Sequence, residues 1–253
     1  MNELPVYVAR LTSVEFARVT GGDAPVCILL PVGAVEPHGP HLALDTDLTI
    51  SRAAAERAVP ALRARGIVAF VAPDVPYGVT ECARDFAGAA SVPQPAVEAY
   101  LAGVIGGWQR AGARHVCLVN NHLEPAHDAA VRAAVAACDP AGASVASPLT
   151  RRFARTLSDE FRRGACHAGE YETSIVLAAA PESVREEISR MLPDVDVSLS
   201  DNLARGVDRF VAMGMRDGYA GSPARASAAH GDEMLARLAA MIVTTVEEAV
   251  AAA

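Results

Sequence analysis

The chain has 253 residues, which is long enough for one α/β domain with a substantial core and too short for two independent enzymatic domains. Its net charge is -8, and its arginines form no cluster beyond short pairs, which argues against a nucleic-acid-binding surface. No apolar run reaches the length of a membrane span, and no secretory signal is visible at the start. We therefore expect one cytoplasmic domain over residues 1–253, with neither a membrane nor a nucleic acid as partner.

The cysteine and lysine contents exclude several kinds of chemistry. The five cysteines are spread along the chain without a Cys-x-x-Cys pair, which argues against a disulfide framework and a thiolate zinc site. The sequence contains no lysine, so every Lys+Arg residue is an arginine. A Schiff-base lysine, a pyridoxal-phosphate anchor, a P-loop lysine and a kinase-type lysine are therefore excluded.

The first strong pattern is a buried strand followed by a polar loop. Residues 26–30 are continuously apolar, and Pro31 and Gly33 then break the strand. Ligands of open α/β sheets bind beyond the carboxyl ends of the strands, which is where this loop lies. The stretch LPVGAVEPHGPHLALDTD over 30–47 places five candidate site residues there: Glu36, His38, His41, Asp45 and Asp47.

The spacing within this loop indicates a metal site. In a locally extended chain Glu36 and His38 point the same way, and a turn after His38 can bring Asp47 back to the same point. Carboxylate oxygens and imidazole nitrogens together suit zinc or manganese, and an aspartate can bridge two ions. A polar loop whose histidines cap a helix or face water is the alternative that this stretch alone leaves open.

The next segments predict a strand-helix-strand unit and hence a parallel sheet. Residues 48–65 have helical character, with a break or kink expected at Pro60, and residues 67–72 read as a strand. The long loop 73–93 is a candidate substrate wall. An exposed turn with a self-satisfied arginine-aspartate pair is the alternative. The residues assigned to substrate binding in this loop are Tyr77, Arg84, Asp85 and Phe86.

The same pattern recurs after a third strand. Residues 95–110 read as a helix and residues 115–119 as a strand, beyond which His122 and Glu124 stand two residues apart. His115 lies at the opposite end of that strand, so we interpret it as structural. His127 follows near the start of a predicted helix over 125–138, and we expect it to be exposed.

A third polar segment follows a predicted fourth strand over 143–146 and a charged helix that extends to residue 163. It reads CHAGEYETS over 166–174, and Glu172 begins an apolar helical run, so a helix-capping role for Glu170 or Glu172 is a serious alternative. Neighbours such as Cys166 and His167 rarely face each other, which disfavours a thiol nucleophile. Residues 181–223 carry no assignable chemistry, and a long helix is predicted from 226 to the terminus.

These three segments together resemble the creatininase family of metal-dependent hydrolases. The resemblance rests on PVGAVEPHGPHLALDTD, NNHLEP and HAGEYETS in that order, and weaker similarity extends from about Leu30 to the GSPARAS segment. It implies a three-layer α/β/α fold with a mainly parallel central sheet. It also implies two divalent ions per chain, zinc or manganese with iron as a further option, and Asp47 as the bridging ligand. The implied metal ligands are Glu36, His38, Asp47, His122 and Glu124.

The implied reaction is hydrolysis of a carbon-nitrogen amide bond. Two divalent ions and three carboxylates leave about one positive charge, which a hydroxide held between the metals would neutralise. The family match assigns His167 as proton donor to the leaving nitrogen and Glu172 as its orienting partner, and Glu124 is counted with these catalytic residues. The implied substrate is a small-molecule amide, and the implied assembly is a homo-oligomer, a hexamer in this family.

Departures from the family pattern leave the substrate open. The loop Asn-Asn-His-Leu-Glu-Pro and the run Phe86-Ala87-Gly88-Ala89 both differ from the common family sequences, and the only tryptophan, Trp108, lies in a predicted helix. Creatinine, a formylated or cyclic amide, and a peptide of the kind cleaved in mycofactocin maturation all remain candidates. A dinuclear phosphoesterase would need cationic phosphate-binding groups, for which Arg84 and Arg114 are the candidates. A non-catalytic relative of the same fold is the remaining alternative.

Overall fold

The computed structural model describes residues 4–139 and 142–252. Its strands are β1 Val26–Val32, β2 Val68–Val71, β3 His115–Asn120 and β4 Ala143–Ala146. Its α-helices are α1 Ser13–Thr20, α2 Thr46–Arg63, α3 Gln94–Arg110, α4 Pro125–Ala136, α5 Arg151–Ala154, α6 Asp159–Arg162, α7 Glu170–Ala179, α8 Glu186–Ser189, α9 Leu199–Ala204, α10 Phe210–Met213 and α11 Ala228–Ala251. Ala253, to which the last predicted helix extended, lies outside the described residues.

The four strands form one sheet in the order β2-β1-β3-β4, and each neighbouring pair is parallel. The central pair is in register from Cys27 opposite His115 to Val32 opposite Asn120. All seven residues of β1 and all six of β3 are buried, as expected for strands covered on both faces. The prediction of a parallel sheet is therefore confirmed.

Side chains alternate between two cores on the opposite faces of the sheet. In β1, Cys27 and Leu29 join one hydrophobic cluster, whereas Ile28 and Leu30 join the other. Helices α2, α7 and α11 pack together on the first face, and α3 and α4 pack on the second. The predicted three-layer α/β/α architecture is confirmed.

Two helices differ from the sequence prediction. Helix α2 continues through Pro60, an exposed proline near its C-terminal end, so the missing N–H removes one helical hydrogen bond without ending the helix. The charged helix expected to reach residue 163 is two short helices, α5 and α6. Ser158 lies between the two helices and is the N-cap of α6, because its side-chain oxygen accepts a hydrogen bond from Phe161 N.

The topology brings the loops after β1 and β3 side by side. Val32 and Asn120, the last residues of these strands, are partners in the ladder, so the chain leaves both strands at the same edge of the sheet. The first turns of α2 and α7 also contribute side chains to this edge. Within the described residues, no helix is both long and apolar enough to cross a bilayer.

Candidate metal centre

The centre is built from four segments that meet beyond the carboxyl ends of β1 and β3. Glu36 and His38 lie on the loop after β1, whose fold is held by a hydrogen bond from Glu36 N to Leu44 O. Asp47 lies in the first turn of α2, His122 follows β3, and Glu172 lies in the first turn of α7. These five side chains are almost completely buried, with exposed fractions of 3% or less. A buried group of three acids and two imidazoles needs internal compensation of its charge.

Hydrogen bonds to the backbone orient the histidine rings. His38 Nδ1 lies 3.2 Å from Glu36 O, and His122 Nε2 lies 2.7 Å from Val79 O. A carbonyl oxygen only accepts, so in each ring this nitrogen carries a proton. The second nitrogen of the neutral ring is then an unprotonated acceptor that faces the centre. Metal-binding histidines are commonly oriented in this way.

Asp47 lies between the two rings. Its Oδ2 is 3.0 Å from His122 Nδ1, and its Oδ1 is 3.2 Å from His38 Nε2. Glu36 Oε1 is 3.2 Å from His122 Nδ1, and Glu172 Oε2 is 3.5 Å from His38 Nε2. Two triads of candidate ligands share Asp47: Glu36, Asp47 and His122 in one, and His38, Asp47 and Glu172 in the other. A third group consists of Glu36, His38 and His167.

The electrostatics show how strongly negative this centre is. Burial lowers the pKa of His38, but the neighbouring carboxylates, Asp47 first, outweigh burial and raise that pKa to about 10. Burial likewise opposes the shift at His122, yet Glu36 and Asp47 raise its pKa well above the usual range. Burial raises the pKa of Glu172 to about 8, although the charge of His38 acts in the opposite direction. The centre attracts positive charge, whether protons or metal ions.

The residues fit a metal centre by a test internal to the structure. His38 Nε2 and Asp47 Oδ2 are fully buried without a hydrogen-bond partner among the described residues. With the rings oriented by backbone carbonyls, nitrogen lone pairs point at carboxylate oxygens about 3 Å away. A divalent cation between these atoms satisfies both sides at once, and the mixed oxygen and nitrogen donors suit zinc, manganese or iron.

Glu124, which we predicted as a metal ligand, lies outside both triads. Its Oε1 accepts a hydrogen bond of 3.0 Å from Glu81 N, and its Oε2 accepts one of 3.0 Å from Cys82 N. The carboxylate thus fastens the 81–82 loop, while Glu124 itself keeps an extended backbone as the residue that precedes α4. Glu172, which we predicted as an orienting partner of His167, occupies the place beside His38 instead.

His167 lies at the side of the centre and is buried. Its Nε2 is 3.0 Å from Pro37 O, and its Nδ1 is 3.8 Å from Glu36 Oε1. Burial and the charge of His38 lower the pKa of His167 to about 4, so the ring is neutral near pH 7. The proton on Nε2 is held by the carbonyl, which leaves Nδ1 as an acceptor.

A strained residue joins His167 to α7. Ala168 has a φ of 53°, the only positive φ of a non-glycine residue in the described chain. Its N–H donates a 2.7 Å hydrogen bond to Glu172 Oε2. This conformation turns the chain so that His167 and Glu172 face the same centre. Left-handed backbone at a non-glycine residue is concentrated at functional sites.

A cavity of about 250 Å³ opens above the centre. Besides the acids and histidines, it is lined by residues that the sequence analysis did not assign, including Leu199, Leu203, Phe210 and Met213. The ring centroid of Phe210 lies 4.4 Å from that of His167. The apolar residues of 199–213 were the available signal, but their spacing does not reveal which of them reach a site contributed by distant strands.

None of the four residues predicted to bind substrate lines the cavity, and their role in substrate binding stays a prediction. Arg84 faces Glu81 and Asp85 pairs with Arg209, so both are engaged at the surface, but with these partners and not with each other as the alternative expected. Phe86 packs beside the small cluster that contains Phe210, and Tyr77 is 54% exposed. From the 73–93 loop, it is Cys82 that reaches the cavity.

Three further histidines, His127, His41 and His115, make structural contacts. His127 is buried, so the prediction that it is exposed is wrong. Its ring packs edge-on against His122, and its Nδ1 accepts a hydrogen bond from Val79 N. His41 Nε2 lies 2.9 Å from Thr173 Oγ1 and ties the first loop to α7. His115 pairs with Ser144 on β4, as its place at the strand start indicated.

A comparison with protein families decides the assignment. The model for creatininase, described as creatinine amidohydrolase, matches residues 9–246. The chain belongs to the creatininase family. As a family member, it is an amidohydrolase, a hydrolase that acts on carbon-nitrogen bonds of amides.

Curated relatives of this creatininase-family protein include peptidases as well as a creatininase. The chain is 31% identical over 212 residues to the mycofactocin precursor peptide peptidase of Mycolicibacterium smegmatis, covering 83% of this chain and 80% of that protein. It is 30% identical over 226 residues to the corresponding peptidase of Mycobacterium tuberculosis, with the same coverage. The creatinine amidohydrolase of Pseudomonas putida is 34% identical over 126 residues, which cover 47% of this chain and 45% of that enzyme.

Solved structures of creatininases share the fold. The structure named Creatininase Mn matches with a TM-score of 0.73 at 24% identity, covering 97% of this chain and 98% of that one. A mutant creatininase described as Zn-Zn type matches with the same TM-score, identity and coverage. At this identity the likeness establishes the α/β architecture of the family for this chain.

Proposed function

We propose that the protein hydrolyses a carbon-nitrogen amide bond of a small molecule with the help of two divalent metal ions. The observation that carries the proposal is the position of Asp47, whose two oxygens lie 3.2 Å from His38 Nε2 and 3.0 Å from His122 Nδ1, the ring nitrogens that no backbone carbonyl holds. One ion would be held by Glu36, Asp47 and His122, and the other by His38, Asp47 and Glu172. Glu124, the ligand expected from the sequence, fastens the adjacent loop in this assignment.

Bound divalent ions would supply a nucleophilic water at neutral pH and would polarise the amide carbonyl. The residues of the chain perform the remaining tasks. Val79 O and Glu36 O hold the rings of His122 and His38 in orientation. Cavity walls that are mostly apolar exclude bulk water, which strengthens the electrostatic interactions inside.

His167 is proposed to carry the proton. Its Nε2–H is held by Pro37 O, so Nδ1 is free to accept a proton and then to donate it to the leaving nitrogen. Sequence reasoning gave His167 the donor role alone, and the neutral ring extends that role to acceptance and donation. Glu172 accepts a hydrogen bond from the N–H of the strained Ala168 and thereby helps to hold His167 beside the centre.

Peptide hydrolysis is a second candidate for the physiological reaction. It is favoured by the relatives named mycofactocin precursor peptide peptidase, which match 83% of this chain at 30% to 32% identity. Peptide and small-molecule hydrolysis would use the same centre, because both reactions break a carbon-nitrogen amide bond. Competition between a peptide and a small amide for the same active protein distinguishes one shared site from two.

The metal identity, the assembly and the location are further parts of the proposal. Oxygen and nitrogen donors accept zinc, manganese and iron, and the named Mn and Zn-Zn creatininases support the first two. From the family resemblance we propose a homo-oligomer, a hexamer, located in the cytoplasm. We also propose that residues 1–253 form one domain.

The experiment compares two aspartates at the start of α2. Asp47→Asn removes the shared ligand, whereas Asp45→Asn changes an exposed aspartate whose side chain makes no capping hydrogen bond. Elemental analysis of proteins purified without chelator should give about two ions per chain in the wild type and in Asp45→Asn. In Asp47→Asn we expect loss of both metal and amide hydrolysis. Absence of stoichiometric metal from the wild type, even after addition of zinc and manganese, would contradict the proposal.

A further inference from the structure

The cavity changes character between its floor and its walls. The floor consists of carboxylates and imidazoles, among them Glu36, Asp47 and His167. The walls are mostly apolar and come from segments that are far apart in sequence, with main members Leu123, Leu149, Phe161, Leu203, Phe210 and Met213. When one group of a bound molecule reacts at the floor, the atoms a few bonds away from it therefore contact apolar side chains of the walls.

The part of the wall nearest to His167 is anchored. Phe210 and Met213, on the short helix α10, are only 4% and 7% exposed. Phe210 N donates a 3.0 Å hydrogen bond to Cys82 O, which fixes α10 to the 81–82 loop that Glu124 holds. Phe210 also stacks at a tilt on the ring of His167. This wall is preformed and is in contact with the proposed proton carrier.

The charges around the cavity exclude a charged occupant between the walls. Apart from histidines, Arg162 is the one basic residue among the described residues that line the cavity. Its side chain is 51% exposed and pairs with Asp159. A carboxylate placed between the walls would thus have no buried cationic partner. An ammonium group would have no buried acid beyond those of the centre and Glu124, whose two oxygens already accept backbone hydrogen bonds. Burial of an unpaired charge is strongly unfavourable.

We propose that the substrate carries an uncharged apolar group next to its scissile amide, and that Leu203, Phe210 and Met213 bind this group. The proposal rests on the amide hydrolysis proposed above and adds the substrate class: a hydrophobic amide, in contrast to a small polar one. The apolar group is attached to the acyl carbon or to the amide nitrogen, and both attachments place it beside the floor.

Two homologous series of uncharged amides test the proposal with the metal-loaded protein. One series is lengthened on the acyl side and the other on the amine side, and kcat/KM is measured for each member. In the series that enters the apolar site, each added methylene should raise kcat/KM about fourfold, until the cavity is full. Equal kcat/KM across both series would overturn the proposal while leaving amide hydrolysis established.

Variants of the wall connect the effect to the named residues. Met213→Gln keeps the side-chain length but adds a polar group. Leu203→Gln also adds a polar group, at a half-buried position where folding is less at risk. Both should reduce the gain per methylene to about twofold or less. Val211→Gln is the matched control, because Val211 lies on the same helix but is 46% exposed and does not line the cavity. A full gain retained in both wall variants would overturn the assignment of the wall.

Binding measurements separate the two proposals. If no amide is hydrolysed, the proposed function fails, and dissociation constants of the same amides, measured by calorimetry, decide the apolar site independently. Dissociation constants that fall about fourfold per methylene would support the site. Dissociation constants that do not change along either series would overturn it.

Discussion

His122 Nδ1 lies 3.0 Å from Asp47 Oδ2, although the proton of the neutral ring is held by the opposite nitrogen. The donor bond from Nε2 to Val79 O means that two lone pairs face each other in a buried place. The arrangement needs a positive charge between these atoms, either a proton or a metal ion. This geometry is a stronger indication of a metal centre than the number of acids and histidines alone.

Metal content should distinguish Glu172 from Glu124 as the fifth side chain of the centre. Glu172 faces His38, whereas both oxygens of Glu124 accept backbone hydrogen bonds from the 81–82 loop. We expect Glu172→Gln to bind about one ion per chain and Glu124→Gln to keep about two, as measured by elemental analysis after dialysis. Loss of one ion from Glu124→Gln, with two retained in Glu172→Gln, would reverse the assignment and restore the ligand set expected from the sequence.

Sequence reasoning succeeded where the chemistry is local. The continuous apolar runs predicted the parallel strands, and the polar residues directly after β1 and β3 marked the edge where the centre lies. It did not anticipate the two hydrogen bonds that Glu124 accepts from Glu81 N and Cys82 N, because these partners are more than 40 positions away in sequence. The role of Glu124 as a metal ligand stays a prediction.

The apolar cavity wall could not be predicted in the same way. Leu203, Phe210 and Met213 reach the cavity because α9 and α10 fold over the sheet edge, held partly by the bond between Phe210 N and Cys82 O. Such a contact joins residues more than a hundred positions apart, and no periodicity within either segment encodes it. The pair of Asp85 with Arg209 similarly joins residues 124 positions apart.

Thr80 should tune the metal affinity without being a ligand. Its hydroxyl is buried and donates a hydrogen bond to Glu36 Oε2, which leaves Oε1 to face His122. Thr80→Val preserves the shape but removes the donor, so we expect a loss of about 10- to 100-fold in metal affinity, measured by competition with a chromophoric chelator. Thr245→Val on α11 is the control, because its hydroxyl bonds only to Met241 O in the same helix. Equal affinities of the two variants would argue against the orienting role.

The alkaline stability should depend on Tyr7. Burial and the hydrogen bond to Glu56 raise the pKa of Tyr7 from 10.0 to about 12. The unfolded phenol therefore ionises first, so the stability contributed by Tyr7 is complete below pH 10 and is lost as the pH rises toward 12. The other tyrosines and the cysteines also titrate in this window, so the contribution of Tyr7 is the difference between wild type and a Tyr7 variant at each pH.

Urea denaturation between pH 9 and 11.5 checks this expectation. Tyr7→Phe should be less stable than the wild type below pH 10, and the difference in unfolding free energy should shrink as the pH rises. Tyr100→Phe is the matched control, because Tyr100 is 59% exposed. A difference between wild type and Tyr7→Phe that stays constant over the whole range would show that the phenol is not protected by folding.

The backbone strain at Ala168 should lower the free energy of unfolding while it positions site residues. Its φ of 53° is unfavourable for a residue with a Cβ, and glycine adopts this conformation without strain. We expect Ala168→Gly to raise the free energy of unfolding by up to about 1 kcal/mol in urea denaturation of the metal-loaded protein. Ala165→Gly, at a nearby buried residue without a positive φ, should lower it by about 0.4 to 1 kcal/mol. Glycine also makes the segment that carries His167 and Glu172 more flexible, so kcat should fall in Ala168→Gly. If Ala168→Gly were more stable and had an unchanged kcat, the backbone strain would not serve catalysis.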